Sequence, residues 1–105
     1  MQKVRLSDKD LEAIKRLFRE IFGKDDHLWL FGSRVDLNRR GGDIDLYIET
    51  KEVDASVAVT KRSRLWGRLQ DAIGAQKLDI LLNVLAFESQ LRMYNEAKTT
   101  GVMLV

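Results

Sequence analysis

The sequence predicts one small domain of the α/β (α+β) class, a mixed β-sheet flanked by helices, and three observations predict it. Apolar or alternating runs at residues 28–31, 43–49 and 78–82 read as strands. Helical periodicity fills residues 11–22 and recurs between the second and third runs. The gaps between strands differ in kind: residues 33–42 are too few for a parallel crossover, whereas residues 50–76 hold a whole helix. The first two strands are therefore expected to pair antiparallel, and the second and third in parallel.

Along the chain, Ser7 with Asp10 three positions later resembles a capping box. Leu11, Ile14, Leu17, Phe18, Ile21 and Phe22 then recur at helical spacing until Gly23 stops the helix. Asp25, Asp26 and His27 make a loop, and the wholly apolar Leu28, Trp29, Leu30 and Phe31 read as a buried central strand. Gly32 and Ser33 turn the chain. Residues 33–42 leave room for a turn or two of helix and a flexible loop ending in Arg39, Arg40, Gly41 and Gly42. Asp54 is the expected N-cap of the next helix, with Leu65, Leu69, Ala72 and Ile73 on its buried face and Gly74 as its stop. A last helix is expected over residues 87–98, with Leu91 and Tyr94 turned inward, and residues 102–105 are expected to pair at a sheet edge. Trp29 is expected in the core, and Trp66 in the core or at a partner interface.

Composition narrows the function classes. A chain of 105 residues has room for one domain, residues 1–105. Its 18 Lys and Arg against 16 Asp and Glu leave +2, too even for charge alone to argue for nucleic acid or an anionic membrane. The absence of Cys excludes a disulfide framework and a thiolate zinc site. With no apolar leader in residues 1–10 and no membrane-length apolar run, a soluble cytoplasmic protein is the expectation. Neither a Walker A sequence nor a GxGxxG run is present.

The chemistry-bearing residues gather at one expected corner. Side chains alternate along a strand, so Asp43 and Asp45 share a face while Ile44, Leu46 and Ile48 take the other. Parallel pairing brings the start of the third strand, with Asp79, beside them. The antiparallel first strand ends at the same edge and delivers Gly32 and Ser33. A Gly-Ser turn offers backbone N–H groups and a hydroxyl to an anion. Three carboxylates suit Mg²⁺, which takes oxygen ligands and commonly bridges carboxylates to phosphates. Such a pairing serves in-line phosphoryl transfer, which needs positioning and charge neutralisation above all.

Phe31-Gly32-Ser33-Arg34, then Asp43-Ile44-Asp45-Leu46, then Leu78-Asp79-Ile80 resemble the signature of the DNA polymerase β-like nucleotidyltransferase superfamily. The likeness is to its minimal, MntA-like members and covers almost the whole chain. It implies the polymerase β-like nucleotidyltransferase fold, Mg²⁺ (two ions) held by Asp43, Asp45 and Asp79, and ATP or another NTP cradled by Gly32 and Ser33, with Arg34 beside them. It further implies a helical HEPN-type partner, often a toxin, onto whose hydroxyl AMP is moved from ATP. The linker between Ser33 and Asp43 departs from the pattern: it is a residue shorter than in many minimal members and carries Arg39-Arg40-Gly41-Gly42 in place of a Pro-Asp-Ser type turn.

Each feature also has a plainer reading. Gly32 and Ser33 can end a strand without binding anything, and Asp43 and Asp45 can be the solvated face of an edge strand that blocks aggregation. Asp79 interrupts an apolar run, where a buried unpaired carboxylate would cost several kcal/mol, roughly. Arg34, Arg39 and Arg40 suit a triphosphate or solvent. Lys61, Arg64 and Arg68 share a helical face that suits RNA, an acidic partner or, as near-neutral charge favours, solvent. His27 has no second His or Cys at ligand spacing and reads as structural or exposed. At the level of function, the alternative to a transferase is a non-catalytic antitoxin that neutralises its partner by complex formation. Transfer to a small molecule ranks third. A chain this short requires the acceptor pocket to be completed by a partner or by a homo-oligomer.

Overall fold

The computed structural model describes residues 4–38, 41–74, 76–88 and 91–105. The described residues form a four-stranded mixed sheet with three α-helices: α1 (Asp8–Ile21), β1 (His27–Phe31), β2 (Ile44–Thr50), α2 (Ala55–Ile73), β3 (Leu78–Val84), α3 (Arg92–Thr100) and β4 (Val102–Met103). Short 3₁₀ turns, Gly32–Val35 and Leu85–Phe87, follow β1 and β3. The sheet order is β3-β2-β1-β4. β1 runs antiparallel to β2 and to β4, while β2 and β3 are parallel, as the gap lengths predict.

Two layers of side chains follow from strand alternation. Leu28 and Leu30, Ile44, Leu46 and Ile48, and Leu78 point to the face covered by α1 and α2, where they pack with Ile14, Leu17, Phe18, Leu65 and Leu69. The opposite face carries Trp29, Phe31, Tyr47 and Leu81, covered by Tyr94 and Ala97 of α3. That cover lies over the middle of the sheet, and the ends of β2 and β3 that begin with acids stay open.

Local chemistry sets the helix ends. Ser7 Oγ accepts from the Asp10 N–H at 3.1 Å and starts α1. Asp54 accepts from the N–H groups of Ser56 and Val57, at 2.9 and 3.3 Å, and starts α2. The Ser56 hydroxyl and these two N–H groups hold the Asp54 carboxyl below its ordinary value. Gly74 ends α2 as expected.

Three expectations are corrected. Ala72 faces solvent, and Ala58 joins Leu65 and Leu69 on the buried side of α2 instead. The last helix begins at Arg92: Glu88 at φ 54° takes a left-handed conformation that no helix can include and Leu91 is extended, while residues 89 and 90 of the expected span lie outside the described residues. Leu91 stands ahead of that helix, 51% exposed, and the inward positions are Tyr94 and Ala97. Trp29 is buried as expected; Trp66 is half exposed and donates its indole N–H to the Leu78 carbonyl on the open edge of β3, at 3.0 Å. Tyr94 Oη donates to the Leu82 carbonyl at 3.2 Å. These side chains occupy backbone acceptors of an edge strand that would otherwise invite pairing.

Candidate active site

Strand register assembles the corner. Phe31 opposes Asp45 in the β1–β2 pairing, and Asp45 opposes Asp79 in the β2–β3 pairing. Paired residues share a face, so Asp45 and Asp79 project side by side, and Asp43 lies two positions back on the same side. Asp79 is exposed. The cost expected for a carboxylate buried in an apolar run does not arise, because β3 is the sheet's edge and this face is uncovered at its start.

Burial pushes the Asp45 carboxyl above its ordinary value, and the neighbouring charges of Asp79 and then Asp43 push it further, against the opposing pull of Lys77. The carboxylates thus feel one another across the sheet. Lys77 Nζ sits 3.5 Å from Asp43 Oδ2. Among the described residues, no three His, Cys, Asp or Glu side chains converge at the spacing that would hold an ion as they stand. In donor chemistry and shared face the three acids fit Mg²⁺; in spacing they would have to draw together around it.

The Gly-Ser turn is built against these acids. Gly32 has φ +75°, and a Cβ added there would fall on Asp45 Oδ2. Both facts require glycine. Ser33 Oγ donates to the Asp43 carbonyl at 3.4 Å, and Gly42 leaves the space that this hydroxyl fills. The turn continues into the 3₁₀ segment Gly32–Val35, whose leading N–H groups lack intrahelical partners by construction.

Arg34 reads differently from its expected place beside a nucleotide. Its Nη1 donates to the Arg5 carbonyl at 2.8 Å, its Nε to the Gly42 carbonyl at 3.2 Å, and its Nη2 to Gln76 Oε1 at 3.5 Å. The guanidinium ties the turn to the N-terminal segment and to the linker. Arg5 returns the contact, donating from Nη2 to the Ser33 carbonyl at 2.6 Å and from Nε to the Asp36 carbonyl at 2.7 Å. Arg39 and Arg40 lie outside the described residues. On α2, Lys61 pairs with Glu52 at 3.7 Å and Arg68 with Glu20 at 3.6 Å, which favours the solvated-face reading. His27 Nδ1 lies 3.2 Å from the Val105 carbonyl, a structural contact at the β1–β4 edge.

Sequence reasoning missed Arg5 and Lys77. Arg5 gives no local signal, because its partners lie 28 and 31 positions away. Lys77 had one: it stands two residues before Asp79, so the same parallel register that brings Asp79 to Asp45 brings Lys77 to Asp43.

Behind the corner, the same face carries a polar chain that runs from buried Asn83 and Tyr47 out to exposed Lys98. Tyr47 Oη donates to Glu49 Oε2 at 2.8 Å and accepts from Asn83 Nδ2 at 3.0 Å, while Lys98 Nζ pairs with Glu49 Oε2 at 3.2 Å. No protein-family profile matches the chain, and no curated protein matches it significantly.

Proposed function

We propose that this chain is a cytoplasmic, Mg²⁺-dependent nucleotidyltransferase that moves a nucleoside monophosphate, AMP from ATP, onto a hydroxyl of a partner protein, as the antitoxin of a HEPN-type pair. The observation that carries the reading is the register pair of Asp45 with Asp79, with Asp43 on the same side and Gly32 packed against Asp45. Gly32 and Ser33 receive the triphosphate through backbone N–H groups, and the Ser33 hydroxyl turns from the Asp43 carbonyl to join them. Asp43, Asp45 and Asp79 would hold Mg²⁺, which would neutralise phosphate charge and acidify the acceptor hydroxyl. The acceptor oxygen forms a bond to the α-phosphorus, the bond from that phosphorus to the bridging oxygen breaks, and pyrophosphate leaves with the electron pair. Asp79, exposed at the open edge, takes the hydroxyl proton.

The non-catalytic reading draws on a separate observation. Lys77 already occupies Asp43, and the acids stand apart, an arrangement that also suits an antitoxin acting by occlusion. Exposed Phe87, Leu91 and Met93 near α3 offer such a protein an apolar contact surface.

Calorimetric titration with ATP tests the site. Binding that requires Mg²⁺ and is lost in Asp45→Asn is expected; binding indifferent to both would refute the assignment. If a variant lacking all three acids still neutralises the partner, occlusion is the mechanism.

A further inference from the structure

We propose that Lys77 is the site's own counter-cation: its ammonium stands in for a divalent ion at Asp43, and it transfers to the phosphates when metal and nucleotide bind. The inference rests on the nucleotidyltransferase reading above. The register fixes the position, since Ile44 pairs with Leu78 and the residues one step ahead, Asp43 and Lys77, meet on the face of Asp45 and Asp79. The backbone is anchored by the Ile44 N–H, which donates to the Lys77 carbonyl at 3.0 Å. The side chain is 76% exposed and reaches Asp43 Oδ2 at 3.5 Å. A pair so exposed is weak and readily exchanged.

Arg34, the cation of the Gly-Ser turn, is not available for this role. Arg34 spends its guanidinium on the carbonyls of Gly42 and Arg5 and on Gln76. Lys77 is a compact charge on a flexible stem, with nothing but Asp43 holding its tip among the described ion pairs. Once a divalent ion takes Asp43, Lys77 is released beside the triphosphate, where an ammonium is a phosphate ligand. The same residue therefore opposes metal binding to the free protein and favours nucleotide binding to the metal-loaded one.

The opposite signs make the test. Mn²⁺ is titrated into the free protein and followed by electron paramagnetic resonance; α,β-methylene ATP is then titrated calorimetrically at saturating Mn²⁺. Lys77→Gln should bind Mn²⁺ about tenfold more tightly, the scale of a unit charge removed from beside a divalent ion in a solvated site. It should bind the analogue about tenfold more weakly, the scale of one charged contact. Lys77→Arg, which keeps the charge, should stay near the parent in both. Shifts of the same sign, or no shift in either titration, would overturn the role of Lys77 while leaving the nucleotidyltransferase reading intact. A parent protein that binds neither ligand would overturn both.

Discussion

Asp45 stands directly opposite Asp79 in the parallel β2–β3 register, so two carboxylates project side by side from one face of the sheet. Like charges directly opposite each other weaken a sheet. A fold assembled for stability alone has no use for the pair, and its presence is what marks the open corner as the candidate site.

Asp45→Asn should therefore stabilise the metal-free protein at neutral pH, by about 0.5 kcal/mol on the scale of a cross-strand charge pair. The Asp45 carboxyl titrates above its ordinary 3.8 in the folded state, so the folded form holds the proton more tightly. Its burden on stability is then present above the folded value and vanishes as pH falls below 3.8. Urea unfolding of parent and variant, in chelator, across that range checks it: the gain should shrink in acid, and a gain that grew would contradict the account.

Gly32→Ala should cost about 1–3 kcal/mol, the scale of a strained backbone conformation together with steric displacement of Asp45. Denaturant unfolding measures this. The same variant should lose nucleotide binding, because the Cβ would drive the Asp45 carboxylate out of place.

Asp26 tests the scaffold apart from the site. Its buried carboxylate accepts from the N–H groups of Gly23 and Lys51, at 2.9 and 2.8 Å, and from the Thr50 hydroxyl at 3.0 Å. Asp26→Ala should destabilise the protein by about 3 kcal/mol through the donors it strands. Nucleotide affinity measured where the variant remains folded should match that of the parent.

Tyr47 governs the alkaline limb. Burial pushes its phenol up to about 12 from the ordinary 10, with the hydrogen bond from Asn83 opposing and the contact with Glu49 reinforcing the rise. Neutral Tyr47 thus contributes stability that is full below pH 10 and is lost as pH rises through about 12. Ultraviolet titration should show one phenol ionising about two units late, and Tyr47→Phe should remove that step.

Much of this was legible in the sequence because it depended on short-range rules. The Ser7 and Asp54 caps, the antiparallel β1–β2 pair and the parallel β2–β3 pair follow from side-chain chemistry and gap length, and the placing of Asp43, Asp45 and Asp79 on one face follows from them. What was not legible depended on which side of an element meets water. Asp79 looked like a costly carboxylate in an apolar run because no local signal marks β3 as the edge. Ala72 and Leu91 lie at apolar positions that the tertiary arrangement leaves uncovered. The Arg5 clamp on the Gly32–Val35 turn and the Asp26 contacts with Thr50 and Lys51 join distant segments, which periodicity cannot register.

The central claim, that this corner transfers a nucleoside monophosphate, is tested most directly by label transfer. The purified protein and its Asp43→Asn/Asp45→Asn variant are incubated with Mg²⁺, α-labelled ATP and lysate of the native host. A labelled protein band formed by the parent alone is the predicted result and gives the acceptor's mass. Equal labelling by the variant would contradict the account, because transfer would then proceed without the acids on which it rests.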